Sequence, residues 1–376
     1  MPGPGNESHS TQAAATLASP ARGSTVQAKN KSGPALSARL WTCAAISWSV
    51  WSAVAQPFQL PTANRALFEP GGGGEKFFVG TAGKSWESGC FGCVRSDGGQ
   101  MHEGLDIRCL ARDKRGEPTD PVMATADGTV AYINRKPSVS NYGNYIVLRH
   151  RIDGLEIYSL YAHLRVVRSG LSAGQSVKAG EVIATMGHTA NTREPITKDR
   201  AHVHFELDLL VNDRFAEWFR KTSPDERNEH GEWNGQNMLG LDPRAILLGA
   251  HEQGDKFSLL HFVRNQTELC RVLVRAKEFP WLKRYAALVR PNPIAEKEGV
   301  AGYELALNFN GVVFGLTPRA ASEINPSASD ARRKYQLLSV NEAEERRNSC
   351  RRLVVQRGSR WELTARGTGL LDLLTY

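Results

Sequence analysis

At 376 residues the chain is too long for one small domain, and an apolar content of 41% is enough to build proper cores, which excludes a wholly disordered chain. Lys plus Arg exceeds Asp plus Glu by 47 to 39. The resulting +8 favours anionic surroundings, but it is spread too evenly to single out nucleic acid, lipid or a cell-wall polymer.

Residues 1–38 are rich in Ser, Ala, Gly, Pro and Thr and poor in large apolar side chains, so this stretch is predicted to be a disordered tail. "RLWTCAAISWSVWSAVAQ" follows, with Arg39 before an apolar run and the small residues Ala53, Val54 and Ala55 at its end. Residues 39–55 therefore read as a signal peptide cut before Gln56, which predicts export to the periplasm, cell wall or extracellular space. The apolar run is roughly 16 residues against the ~20 of a spanning helix, so no stable membrane anchor is expected after cleavage. Residues 56–77 read as a linker.

From 78 to 249 the chain reads as short strands between turn residues. "VMATADGTVAYIN" is predicted to be a hairpin about Asp127-Gly128, and a second hairpin is expected at Asp153-Gly154. Frequent short strands with little helix point to a mainly β domain, an antiparallel sheet or sandwich. "FAEWFRKTSPDERNEHGEWNGQNMLGLDP" reads as a loop excursion, and "LDPRAILL" as a short helix capped by Asp242. "CFGC" at Cys90 and Cys93 has no second pair to complete a structural zinc site, and a local disulfide or two buried thiols is expected. A thiolate from this pair silencing a zinc site, and a bridge from Cys270 to Cys350, are weaker alternatives.

Histidines gather in this block. "HEGLD" carries His102 and Asp106, His163 closes the strand "SLYAHL", and "AHVHFELDLL" carries His202 and His204. Strand alternation would put His202, His204, Glu206 and Asp208 on one face and Val203, Phe205, Leu207 and Leu209 on the other. Taken alone, that polar face reads as the wet side of a half-buried sheet, with Glu206 a solvated carboxylate. Neutral imidazoles and carboxylates are also the usual ligands of hydrolytic zinc, which takes three protein ligands and keeps one position for water. Spacing does not choose which three of the five bind metal.

"HEGLD", "YAHL" and "HVHFEL", in that order and with "GLSAGQSVKAGEVIATMG" between the last two, resemble the lysostaphin-type zinc metalloendopeptidases that cut peptidoglycan. The resemblance covers about residues 100–210. It implies a β-rich fold with one Zn2+ in a groove, His102, Asp106 and His204 as metal ligands, and His163 and His202 as catalytic histidines. His202 is assigned the proton of the attacking water, and His163 the oxyanion. The chain departs from the family in "HTANTREPITKDRA", a longer and more charged turn than usual before the His-x-His strand, so the preferred cross-link is left open. His188 in that turn reads as an exposed loop residue, and His150 as structural.

Residues 250–376 read as a smaller α+β domain. Strands are expected at "CRVLVRA" and in a hairpin about Asn310-Gly311, a charged helix over 341–353, a hairpin in "LVVQRGSRWELTARG" and a terminal helix at "GLLDLL". Arg346, Arg347, Arg351 and Arg352 could meet phosphates in a winged-helix reading, but interleaved glutamates and expected export argue against a nucleic-acid partner. The reading as a whole is an exported zinc endopeptidase with a peptidoglycan peptide as substrate. Its alternative is a catalytically silent relative that binds cell wall or activates another murein hydrolase. The filling of all five histidine and aspartate positions favours the enzyme.

Overall fold

A computed structural model describes residues 57–324 and 333–376. The predicted tail and signal peptide lie outside the described residues. In chain order the strands are β1 (Gly92–Arg95), β2 (Gln100–His102), β3 (Leu105–Arg108), β4 (Pro121–Met123), β5 (Gly128–Asn134), β6 (Tyr145–Ile152), β7 (Leu155–Ala162), β8 (Val166–Val167), β9 (Ser176–Val177), β10 (Val182–Thr185), β11 (His202–Leu210) and β12 (Met238–Leu241). Beyond them come β13 (Cys270–Val274), β14 (Gly302–Leu307), β15 (Val313–Arg319), β16 (Tyr335–Val340), β17 (Val354–Arg357) and β18 (Arg360–Leu363). All pairings between these strands are antiparallel, in keeping with the mainly β fold expected from sequence.

A seven-stranded sheet runs β12-β11-β7-β6-β5-β9, with β3 also paired to β11. The second hairpin forms as predicted: Asp153 (φ 51°) and Gly154 (φ 76°) turn β6 into β7, the left-handed pair that a two-residue turn requires. The first does not form. β4 pairs with β10 rather than β5, and the Asp127 carboxylate instead accepts from Lys178 Nζ at 2.7 Å and Ala179 N at 2.9 Å. A turn signal marks a change of direction without choosing the partner strand.

Every residue of β11 is buried. Val203, Phe205, Leu207 and Leu209 enter the main core. On the other face His204, Glu206 and Asp208 sit opposite Ala162, Leu160 and Tyr158 of β7. That face continues into a second cluster of Tyr145, Val147, Tyr158 and Leu160, against which Trp233 and Tyr142 pack. The polar face of β11 is therefore no wet surface. Of the 215–237 excursion, Trp233 packs on that cluster, while the helix Phe215–Thr222, where a plain loop was expected, turns Phe215 and Phe219 into the main core. Phe215 and Phe219, one helical turn apart, are both buried and supply its apolar stripe.

The stretch read as a linker also packs. Phe58, Leu60, Leu67 and Phe77 are buried in the main core because the run carries enough apolar side chains to cover that side of the sheets. The helix Pro243–Gln253 starts as predicted, the Asp242 side chain accepting from Arg244 N and Ala245 N. Further on, a four-stranded sheet runs β15-β14-β13-β16, and β17 and β18 form a hairpin before the helix Ala365–Leu374. The charged helix is shorter than expected, Glu342–Arg347, and is followed by a turn in which Arg352 takes φ 49°. Main-core side chains come from this part too, including Leu305, Leu316, Leu353 and Leu374.

The cysteine pairing differs from both expectations. Cys93 of β1 is bridged to Cys350, 257 residues later, with Cα atoms 5.5 Å apart, while Cys90, Cys109 and Cys270 are free thiols. Close spacing in "CFGC" carried no weight because Cys90 lies ahead of β1 while Cys93, within it, reaches Cys350. Among the described residues no helix is long and apolar enough to cross a membrane.

Candidate metal centre

Antiparallel register builds the centre. β3 pairs with β11 so that Asp106 lies opposite His204. His102 ends β2, and the turn between β2 and β3 holds Gly104, where a Cβ would lie 2.3 Å from the Phe205 carbonyl oxygen. Only glycine allows that close approach. His102 Nε2 lies 3.0 Å from His204 Nδ1 and 3.2 Å from Asp106 Oδ1, and His204 Nδ1 lies 3.0 Å from the same oxygen. Two atoms bound to zinc at 2.0–2.1 Å with a tetrahedral angle stand about 3.3 Å apart. The triangle therefore fits one small divalent ion, and this is the one His/Asp/His group of metal-holding geometry among the described residues.

The far atom of each member of this group is tied. His102 Nδ1 donates to the Cys90 carbonyl at 2.7 Å, His204 Nε2 meets Glu206 Oε1 at 2.6 Å, and Asp106 Oδ2 accepts from Arg95 Nη2 at 2.6 Å. Such outer contacts fix tautomer and ring orientation. Glu206 is thus a buried partner of an imidazole, where the sequence favoured a solvated carboxylate. Neither cysteine offers sulfur: Cys93 is bridged, and Cys90, whose thiol burial pushes up to about 12, contributes only its carbonyl.

The other two histidines stand beside this group. His202 Nε2 is 3.5 Å from Asp106 Oδ1, and its Nδ1 donates to the Arg200 carbonyl at 2.6 Å. His163 does not continue β7 as the sequence implied. It leaves the strand with φ 60°, a left-handed conformation that costs a non-glycine residue roughly 1–2 kcal/mol. That turn carries its ring to 4.9 Å from that of His202 and 5.9 Å from that of His204, with Nδ1 donating to the Thr189 carbonyl at 2.9 Å. Both rings must carry their proton on Nδ1, because a carbonyl only accepts; Nε2 is left as a base. Burial, reinforced by the other histidines, holds His163 well below the ordinary imidazole value, and burial also lowers His202 against the pull of Asp106. Both are neutral at neutral pH.

Charge within the cluster is balanced. Burial disfavours the Asp106 charge, yet the surrounding imidazoles hold its carboxyl well below the usual range. Burial pulls His204 down, but its bonds to Asp106 and Glu206 prevail and push it up to about 10, so a cation replacing that proton finds two carboxylates in place. Two further histidines are occupied elsewhere. His150 is locked between the Asp127 carbonyl and Ser159 Oγ, and burial lowers it to about 4. His188 is half-buried, facing Ile196 O and Glu117 rather than open solvent. Arg95 and Tyr142, whose ring lies 5.7 Å from that of His204, belong to the site but no sequence motif pointed to them.

The family model "Peptidase family M23" matches residues 100–214. Residues 100–214 form an M23 peptidase domain. The M23 domain is 36% identical over 114 residues to the murein hydrolase activator NlpD of Escherichia coli, covering 30% of this chain and 24% of that protein. It is 33% identical over 111 residues to the DD-carboxypeptidase/endopeptidase Mpg of Neisseria meningitidis, covering 29% of this chain and 20% of that one. A solved zinc-containing peptidase from Vibrio cholerae is 30% identical, covers 28% of this chain and 26% of its own, and gives a TM-score of 0.21. The chain spans 15–30% of the length of the curated relatives it matches.

Proposed function

We propose that the chain is an exported zinc metalloendopeptidase that hydrolyses peptide cross-links of bacterial peptidoglycan. The observation that carries this reading is the convergence of His102, Asp106 and His204 within ligand distance, with two neutral histidines beside them. His102 Nε2, Asp106 Oδ1 and His204 Nδ1 would hold one Zn2+, which supplies Lewis acidity toward the scissile carbonyl and the attacking water.

The chain's own groups divide the remaining work. His202 presents a free Nε2 on the Asp106 side and is the proton acceptor for the attacking water. His163 also presents Nε2 as a base, so it stabilises an oxyanion only once a proton has reached it, and it suits a relay from His202. Asp106, bonded to Arg95, and Glu206, bonded to His204, keep the ligand geometry during that transfer. Peptidoglycan as substrate draws on the names of the relatives, which include a murein hydrolase activator and a DD-carboxypeptidase/endopeptidase.

The likeness to the activator NlpD supports a second reading, a protein that stimulates another hydrolase without cutting. Metal analysis of purified 56–376 protein, paired with turbidity of cell-wall suspensions with and without chelator, separates the two. Chelator-sensitive clearing by the protein alone supports the peptidase. Binding to the wall without clearing, and clearing only when another murein hydrolase is added, supports the activator.

A further inference from the structure

A cavity of about 1090 Å³ opens beside the metal centre. One wall comes from the M23 domain, including Glu103, Tyr142 and Asn191, and the facing wall comes from the C-terminal segment, including Arg351, Arg366 and Leu370. Each of the first three adjoins a histidine of the centre. Glu103 follows His102 in the chain, the Tyr142 ring packs on His204, and Asn191 lies two residues after Thr189, whose carbonyl holds His163. The cavity therefore lies next to the place where a peptide would be cut.

Arg351 is unusual on that wall. Its side chain is 25% exposed, and its one ion pair, with Glu103 Oε1, is loose at 3.7 Å. Its buried Nε has no hydrogen-bond partner among the described residues, nor does its side chain donate to any other described group. A guanidinium carries five donors in a planar fork, and leaving a buried one unpaired is costly unless a ligand takes it. The neighbouring residue, Cys350, is bridged to Cys93 just ahead of the M23 domain, so the backbone that carries the fork is tethered beside the cavity. Arg366 adds positive charge to the lining, where Arg227 is paired with Glu229.

Resting on the peptidase reading above, we propose that the C-terminal segment completes the substrate groove and that Arg351 receives a carboxylate of the peptide strand bound there. A planar carboxylate matches the fork bidentately, and cross-linked stem peptides carry free α-carboxylates close to the bond that joins them. Arg351 is thus a specificity-determining contact outside the family's own motifs.

The test uses the 56–376 protein and two probes: a cross-linked stem-peptide dimer with free carboxylates, and the same dimer with its carboxyls converted to amides. Binding is measured by calorimetry and hydrolysis by chromatography, for wild type, Arg351→Gln and Arg351→Lys. The expected result is at least tenfold weaker binding and a correspondingly higher KM for Arg351→Gln on the free acid, an intermediate loss for Arg351→Lys, and values within twofold of wild type on the amide. Unchanged discrimination in Arg351→Gln, equal losses on both probes, or wild-type binding to neither probe overturns the proposal. Hydrolysis without discrimination leaves the peptidase reading standing and removes this one. Discriminating binding without hydrolysis does the reverse.

Discussion

The His102/Asp106/His204 cluster and the C-terminal wall of the neighbouring cavity show opposite patterns of polar contact. Around His102, Asp106 and His204 each outward atom already has a protein partner, Cys90 O, Arg95 or Glu206. On the wall, Arg351 keeps a buried donor unpaired. A cation site has to be organised before the ion arrives, because ligands left free to rotate lose affinity and geometry. A peptide-binding surface instead keeps donors in reserve, since the ligand itself completes them. The contrast separates side chains that hold the centre from those that recognise what enters it.

Four experiments press on that contrast. The largest effect is expected from His202→Ala or His163→Ala, each lowering the hydrolysis rate by about 10²–10⁴-fold. Zinc content should stay at the wild-type level; loss of metal with activity would move these histidines into the ligand set. Next, Cys93→Ser should cost about 2–4 kcal/mol in urea denaturation, because a bridge closing a 257-residue separation is released. The same variant should lose discrimination between free-acid and amide probes while retaining its zinc. Arg95→Ala and Glu206→Gln should each weaken zinc binding about 10–100-fold in chelator competition. The smallest effect belongs to Arg351→Gln, whose zinc affinity should stay within twofold of wild type. A large drop there would erase the distinction between the two regions.

Much of the centre was legible in the sequence. Antiparallel strands, the Asp153-Gly154 hairpin and the Asp242 cap followed from local chemistry, and the three ordered motifs brought His102, Asp106, His163, His202 and His204 into one neighbourhood. What failed to read out was long-range. The register that sets Asp106 against His204 is a property of the β3–β11 pairing, which spacing within either segment leaves undetermined. The same holds for the partner of Cys93, for Arg95 on Asp106, and for β4 choosing β10. Burial on the polar side of β11 depended on Tyr142 and Trp233, distant in sequence, packing on the cluster there, a tertiary event that an amphipathic repeat cannot announce. Arg351 looked like one arginine among several in a charged helix, and its place in a cavity depends on a bridge to a cysteine 257 residues away.

The central claim is that His102, Asp106 and His204 hold a single ion, and zinc stoichiometry of the purified 56–376 protein tests it most directly. One zinc per chain in wild type and in Arg351→Gln, falling below a tenth in His204→Ala and Asp106→Ala, is the predicted outcome. A wild-type protein that takes up no zinc, or a His204→Ala protein that keeps its full complement, would contradict the account.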